Sequence, residues 1–209
     1  MSVVQPERRY AGHSLAERRA DRRARLVEAG LDIFGSAGWR AAPIERICAR
    51  ASVSTRSFYT DVGSREALLL AVYQGLLAEA TGVVSRALRA APADLDARVA
   101  AGVGAYIEYM TVDPRRARVA HYEVRTAGIL EAERHAGVTA FADLIEREAE
   151  RLGLAGLGGG GRLRALALAG ALNELLVDWT CAAEPAPTGP LIEEITRLFV
   201  RTLSGPLPS

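Results

Sequence analysis

The residues best suited to recognising another molecule cluster between Ser54 and Arg65. Thr55, Arg56, Ser57 and Thr60 are short or polar and would share the open side of one brief helix. Such a helix fits the major groove of DNA, where each base pair presents its own pattern of donors and acceptors. Arg56 has the fork that grips a guanine edge, and the Tyr59 hydroxyl can reach a phosphate. Ser54 is placed to cap this helix. Ser64 and Arg65 would open the next one, where exposed backbone N–H groups and the helix dipole favour a phosphate. Other chemistry is poorly supplied. His13, His121 and His135 have no metal-ligand spacing with cysteine or with one another. No nucleophile–base pair is apparent, so neither an enzyme nor a cofactor is expected. Gly156 to Gly161 formally fits GxGxxG, but it follows a helical pattern and no βαβ unit surrounds it, so it reads as a loop.

These residues need a frame of helices. Ser14 and Glu17 have capping-box spacing and start a helix whose apolar stripe is Leu26, Ala29, Gly30, Ile33, Phe34 and Ala37. Gly38 is placed to end it. A short helix follows from Pro43 to Ala51, with Pro43 in its first turn and Ile44, Ile47, Cys48 and Ala51 inward. Ser52 to Ser54 form a tight turn into the reading helix, which Val53 and Phe58 anchor. Two short helices joined in this way make a helix-turn-helix. Ser64 then caps a long helix to Ala90. Further helices are expected over 94–111, 114–127, 130–152, 162–183 and 191–203, with a flexible linker at 153–161. No segment alternates with period two between turn residues, so no sheet is expected. The fold class is all-α, with about nine helices.

Composition narrows the class. The 209 residues are 49% hydrophobic, enough for a packed core and too apolar for a disordered chain. No run approaches 18 consecutive apolar residues, so no spanning helix is expected, and the polar, Arg-rich start does not read as a secretory signal. Cys48 and Cys181 are far apart and read as small core residues in a reducing, cytoplasmic setting. The net charge of +1 hides an asymmetry. Residues 1–65 carry twelve arginines and seven acids, whereas the remainder carries fourteen arginines and eighteen acids. A basic first third suits contact with a polyanion. The chain has no lysine.

The run from Ile47 to Leu68 resembles the signature of the tetracycline-repressor (TetR) family. Ile47-Cys48-Ala49-Arg50-Ala51-Ser52-Val53-Ser54 is similar to Ile-Ala-x-x-Ala-Gly-Val-Ser. Phe58-Tyr59-Thr60-Asp61-Val62 lies near the Tyr-x-His-Phe element, and Arg65-Glu66-Ala67-Leu68 matches Lys-Glu-x-Leu. Leu26 to Trp39 resembles the family's first helix, and the likeness covers roughly residues 14–72. The resemblance implies three parts: an N-terminal arm at 1–13, a three-helix helix-turn-helix domain at 14–63, and a ligand-binding and dimerisation bundle at 64–209. It implies a homodimer on double-stranded operator DNA with a small-molecule effector, and no membrane role. Five positions depart from the signature, one of which, Arg65 for Lys, keeps its charge. Ala42 replaces a Thr or Ser cap, Ser52 replaces a turn Gly, Asp61 replaces a His that often faces phosphate, and Val62 replaces a Phe. Ser52 is tolerable only if its φ is not positive, and Asp61 is expected to repel phosphate.

For the ligand, the resemblance directs attention to polar groups on the bundle helices: Tyr106, Tyr109, His121, Tyr122, Asn173 and Trp179. The moderately apolar surroundings suggest an uncharged or lipophilic effector. Leu163, Leu166, Ala167, Gly170, Ala171 and Leu175, with Ile192, Ile195, Leu198 and Phe199, form the expected dimer seam. The leading function is a ligand-responsive homodimeric repressor. The alternatives are a helix-turn-helix activator or architectural protein without an effector, and a helical enzyme.

Overall fold

The computed structural model describes residues 14–154 and 160–205. The expected arm at 1–13 and most of the glycine-rich linker lie outside them. The described residues contain only helices and fall into two compact units, one ending at Val72 and the other starting at Tyr73. Counting the broken run after Pro114 as one, nine helical segments are described.

The first unit follows its local signals closely. Helix α1 (Leu15–Ala37) starts at a full capping box, with Glu17 N donating to Ser14 Oγ and Ser14 N donating to the Glu17 carboxylate. Gly38 ends it at φ 85°, a conformation that side chains with a Cβ rarely adopt. Helix α2 (Ile44–Ala51) has Pro43 as its N-cap, one residue outside the first turn, and no side-chain cap at Ala42 or Pro43. Helix α3 (Thr55–Asp61) is capped by Ser54, whose hydroxyl accepts from Ser57 N. Helix α4 (Arg65–Ala90) begins at Ser64, whose hydroxyl accepts from Ala67 N. Leu26, Phe34, Ile47, Phe58, Leu68 and Leu69 are fully buried and form the core of this unit. Gly30 allows the close approach of α4: a Cβ there would press on Val72 and Leu68.

The turn between α2 and α3 overturns one expectation. Ser52 adopts φ 52°, ψ 46°, the left-handed region where glycine is at ease and serine is strained. Arg25 holds the turn in place, donating from Nη1 to the carbonyls of Ala51 (2.9 Å) and Ser52 (3.2 Å). Relief of that strain outweighs the extra backbone entropy of glycine. Ser52→Gly is therefore expected to stabilise the unit by up to about 1 kcal/mol. A rise of a few degrees in the melting temperature checks this, and an unchanged or lower value would contradict it.

The second unit continues α4 and adds α5 (Leu95–Val112), α6 (Pro114–Ala117), α7 (Val124–Ala127), α8 (Glu131–Arg151), α9 (Gly161–Cys181) and α10 (Thr188–Ser204). Asp94 and Asp113 cap α5 and α6 through their carboxylates. Residues Arg118–Glu123, between α6 and α7, form a π-helical stretch. A pattern of apolar residues cannot reveal such a widening, which arises from one inserted residue per turn. Pro190 lies inside the first turn of α10, where the missing N–H costs little. Ala142, Ala165 and Ala169 let α8 and α9 pack closely. Cys181 is exposed at the end of α9, contrary to the expected core position, because the helix stops there before a proline-rich loop.

By length and composition alone, α4 could cross a membrane. Its buried residues Leu68, Leu69, Val72, Tyr73, Leu76, Ala80, Val84 and Leu88 recur at helical spacing, as on a helix packed along one face.

Candidate functional site

In the first unit, α3 displays the predicted reading residues. Ser54, Thr55, Arg56, Tyr59 and Thr60 are exposed and Ser57 is half-buried. Phe58, fully buried, pins the helix from behind and meets the Tyr59 ring edge-on at 5.5 Å. Thr60 Oγ1 donates to Arg56 O within the helix. The Arg56 guanidinium has no ion pair among the described residues, so it is available to a partner. Tyr59, Ser64 and Arg65 line one shallow depression with Ala42, Pro43, Ile44, Glu45 and Glu66.

The structure gives Arg65 another occupation besides the expected phosphate contact. Its Nη1 donates to Arg40 O at 3.2 Å and Ala42 O at 3.3 Å, and the guanidinium lies 4.9 Å from the centre of the Trp39 ring. It thus braces the loop between α1 and α2.

Asp61 corrects the sequence reading more sharply. It does not face outward as a phosphate-repelling carboxylate. It is buried, and its side chain is wholly enclosed by arginines of α1. Arg22 Nε donates to Oδ2 at 2.7 Å, and Arg19 Nε lies 3.2 Å from Oδ1. Arg23 Nη1 donates to Asp61 O, and Arg19 Nη2 donates to Thr60 O. The hydrogen bond from Arg22, reinforced by the charges of Arg22, Arg19 and Arg23, holds the carboxyl below its usual range despite burial. The last turn of the reading helix is therefore clamped to α1 by charge-assisted bonds.

The second unit encloses a cavity lined from α4, α5, the π-helical stretch, α8, α9 and α10. Its volume is about 110 Å³. Its lining positions run from Tyr73 to Leu88 on α4 and from Gly137 on α8 to Leu152 just past its end. Fifteen residues of helix rise roughly 22 Å, so the cavity is elongated. The lining is mostly apolar, with polar groups in two places. Around one, His121 Nδ1 lies 2.7 Å from Asn173 Oδ1, and the Tyr106 hydroxyl lies 3.3 Å from His121 Nε2. Burial keeps His121 neutral, its pKa pushed down to about 4. With Asn173 Oδ1 accepting from Nδ1–H, Nε2 accepts the Tyr106 proton. Around the other, Arg98 Nη1 donates to Glu148 Oε2 at 2.5 Å, and Arg151 pairs with the second oxygen of Glu148.

Three predicted ligand residues, Tyr106, His121 and Asn173, therefore meet in this cavity, and three do not line it. Tyr109 donates to Glu79 and carries Arg116 over its ring, Tyr122 is partly exposed, and Trp179 Nε1 donates to Ala186 O. Sequence reasoning missed Tyr73, the Arg98–Glu148 pair and the apolar walls, which carry the same signal as any core residue. Of the expected seam, Leu163, Ala167, Leu175 and Leu198 are exposed, whereas Ile195 and Phe199 are buried and Phe199 lines the cavity. Among the described residues, no cluster of histidine, cysteine and carboxylates could hold a metal ion.

Among the described residues, a helix-turn-helix unit is thus followed along the chain by a helical bundle that holds a cavity. Residues 26–72 match the sequence profile of bacterial regulatory proteins of the tetR family. The N-terminal unit is thus a TetR-family helix-turn-helix domain, and over 87% of its length the chain has the fold of a solved tetR-family regulator. The fatty acid degradation regulator FadR from Bacillus halodurans is similar at TM-score 0.72 and 17% identity, over 86% of this chain and 94% of that one. FadR from Bacillus subtilis, solved with stearoyl-CoA, is similar at TM-score 0.76 and 14% identity, over 86% and 98%. A tetR-family regulatory protein from Rhodococcus RHA1 is similar at TM-score 0.66 and 20% identity, over 87% and 96%. No curated protein matches the chain by sequence.

Proposed function

We propose that the protein is a homodimeric, cytoplasmic transcriptional repressor that binds a palindromic operator and is released by a lipophilic effector. The observation that carries the DNA half is the exposed polar face of α3, clamped from behind by Phe58 and Asp61. Ser54, Thr55, Arg56, Ser57 and Thr60 would meet the major groove, and Tyr59 with Ser64 and the first-turn N–H groups of α4 would meet phosphate. Arg65 would contribute mainly by bracing the α1–α2 loop beside that phosphate site.

The elongated apolar cavity supports the effector half, and a structural relative solved with stearoyl-CoA is consistent with it. Helix α4 runs unbroken from Arg65 to Ala90 and supplies Tyr73, Leu77, Val84 and Leu88 to the cavity. It is the continuous element through which cavity occupancy would reach the reading helix. The effector must bind the released form better than the DNA-bound form, and DNA must weaken effector binding by the same factor.

Selection of operator sequences by the purified protein, followed by footprinting, tests the reading. Two protected half-sites about one helical turn apart are expected. Adding the effector should abolish the footprint, and a ligand with equal affinity for free and DNA-bound protein would not be an inducer. Arg56→Ala should cost about 1–3 kcal/mol per half-site and relax base preference at one position. A loss of affinity that is uniform across sequences would reassign Arg56 to the phosphates.

A further inference from the structure

Tyr73 stands apart from the rest of the cavity wall. The residue is 4% exposed, and its hydroxyl has no hydrogen-bond partner among the described residues. It lines the cavity together with Tyr106 and His121. Gly137 makes the room: a Cβ there would collide with the Tyr73 hydroxyl and with Leu77. A hydroxyl left without a protein partner in a mostly apolar cavity has its donor free for an acceptor on a ligand. The neighbouring polar groups are already committed to one another. Tyr106 donates to His121, and His121 donates to Asn173. The free capacity at this end is thus the Tyr73 O–H and the lone pairs of the two phenols.

The charge balance decides what can meet that capacity. Arg134 is the cation that acts on Tyr73, and it is held by both oxygens of Glu131, at 2.9 Å and 2.6 Å. Glu133 acts on Tyr73 in the opposite sense. His121 is neutral at physiological pH, since burial lowers its pKa to about 4. A carboxylate beside Tyr73 would be stripped of water without a counter-charge, whereas at the cavity's other polar place Arg98, whose Nε is buried without a partner, shares the single carboxylate of Glu148 with Arg151.

We infer that Tyr73, beside the Tyr106–His121–Asn173 relay, recognises an uncharged hydroxyl or carbonyl oxygen on an otherwise apolar ligand. The inference rests on the cavity being the effector site and adds the chemistry of the effector's polar group. A carbonyl accepts the Tyr73 proton, and a hydroxyl accepts it while donating to a phenol oxygen. The wide turn of the π-helical stretch places Ala120 and His121 together on the cavity wall, and such turns recur at ligand sites.

The test uses free full-length protein and three probes, 1-decanol, 2-decanone and decanoate, measured by calorimetry or displacement of an apolar dye at pH 7.5. Decanol and decanone are expected to place their oxygen at Tyr73, and decanoate its carboxylate at Arg98. Tyr73→Phe removes one oxygen and keeps the packing. It should weaken the two neutral probes roughly three- to tenfold and leave decanoate unchanged. Decanoate weakened by Tyr73→Phe as much as the neutral probes, or neutral probes indifferent to the substitution, would overturn the inference. Failure of all three probes to bind would overturn it together with the effector site. Tyr73-dependent binding that leaves the operator complex intact would uphold it and count against the repressor mechanism alone.

Discussion

Asp61→Ala is expected to lower the stability of the N-terminal unit by about 2–3 kcal/mol and to loosen the reading helix. The substitution removes a buried acceptor of two guanidiniums and leaves Arg19, Arg22 and Arg23 crowded together without their counter-charge. Charge-assisted hydrogen bonds contribute about 1.5–3 kcal/mol. Loss of one partner of a buried pair costs about 3–5 kcal/mol, and Arg22 and Arg19, each a third or more exposed, recover part of that by hydration. In a unit of this size about 1 kcal/mol corresponds to roughly 4–8 °C, so the first thermal transition should fall by about 10 °C or more. The pH dependence has a definite sign. The carboxyl is held below its usual value in the folded protein, and its unfolded value is about 3.9. The folded state therefore binds the proton less readily. The stabilisation is complete above that unfolded value and is lost as pH falls through the lower folded value. Wild type and variant should converge in stability as the medium is acidified below about pH 4. A variant as stable as wild type at neutral pH would show that the arginine clamp contributes nothing.

The position of Asp61 also shows how far local signals reach. The capping box at Ser14, the stop at Gly38 and the Ser54 cap were all legible, because each depends on residues within four positions of one another. The role of Asp61 was not, because its partners lie about forty residues earlier. Alignment with the family signature placed it where a histidine faces DNA. Only the folded unit turns it onto the arginine stripe of α1. The cavity divides in the same way. Tyr106, His121 and Asn173 were singled out because the family resemblance directed attention to polar groups on the bundle helices, and their mutual bonds draw them together at the cavity wall. The apolar walls look in sequence like the Ala142–Ala169 core beside them, since a residue facing a void follows the same helical period as one facing a neighbour. Ser52 was recognised as a departure from glycine, and the structure shows that the turn kept its left-handed backbone and leans on Arg25.

The other large effect concerns assembly. Along α9, Leu163, Ala167 and Leu175 are exposed at helical spacing, with the half-buried Gly170 and Ala171 between them. Leu198 on α10 adds a further exposed apolar side chain. Leu163 is 70% exposed, a poor position for leucine unless another surface covers it. Small residues at 167, 170 and 171 would let a second α9 approach closely, and nothing lies within 4 Å of a Cβ at Gly170. In a two-fold interface each substitution appears twice, so Leu163→Glu with Leu175→Glu would place four carboxylates in an apolar seam. The double variant is expected to sediment as a folded monomer with an unchanged helical spectrum. Its operator affinity should fall at least about a thousandfold, because one reading helix retains only about half of a binding free energy near 12 kcal/mol. The inward residues Ile195 and Phe199 provide the contrast. Phe199→Ala should disturb the cavity and its probes while leaving the protein dimeric. A double variant that stays dimeric would move the interface elsewhere on the bundle. A monomeric variant that binds the operator with wild-type affinity would show that a single helix-turn-helix suffices.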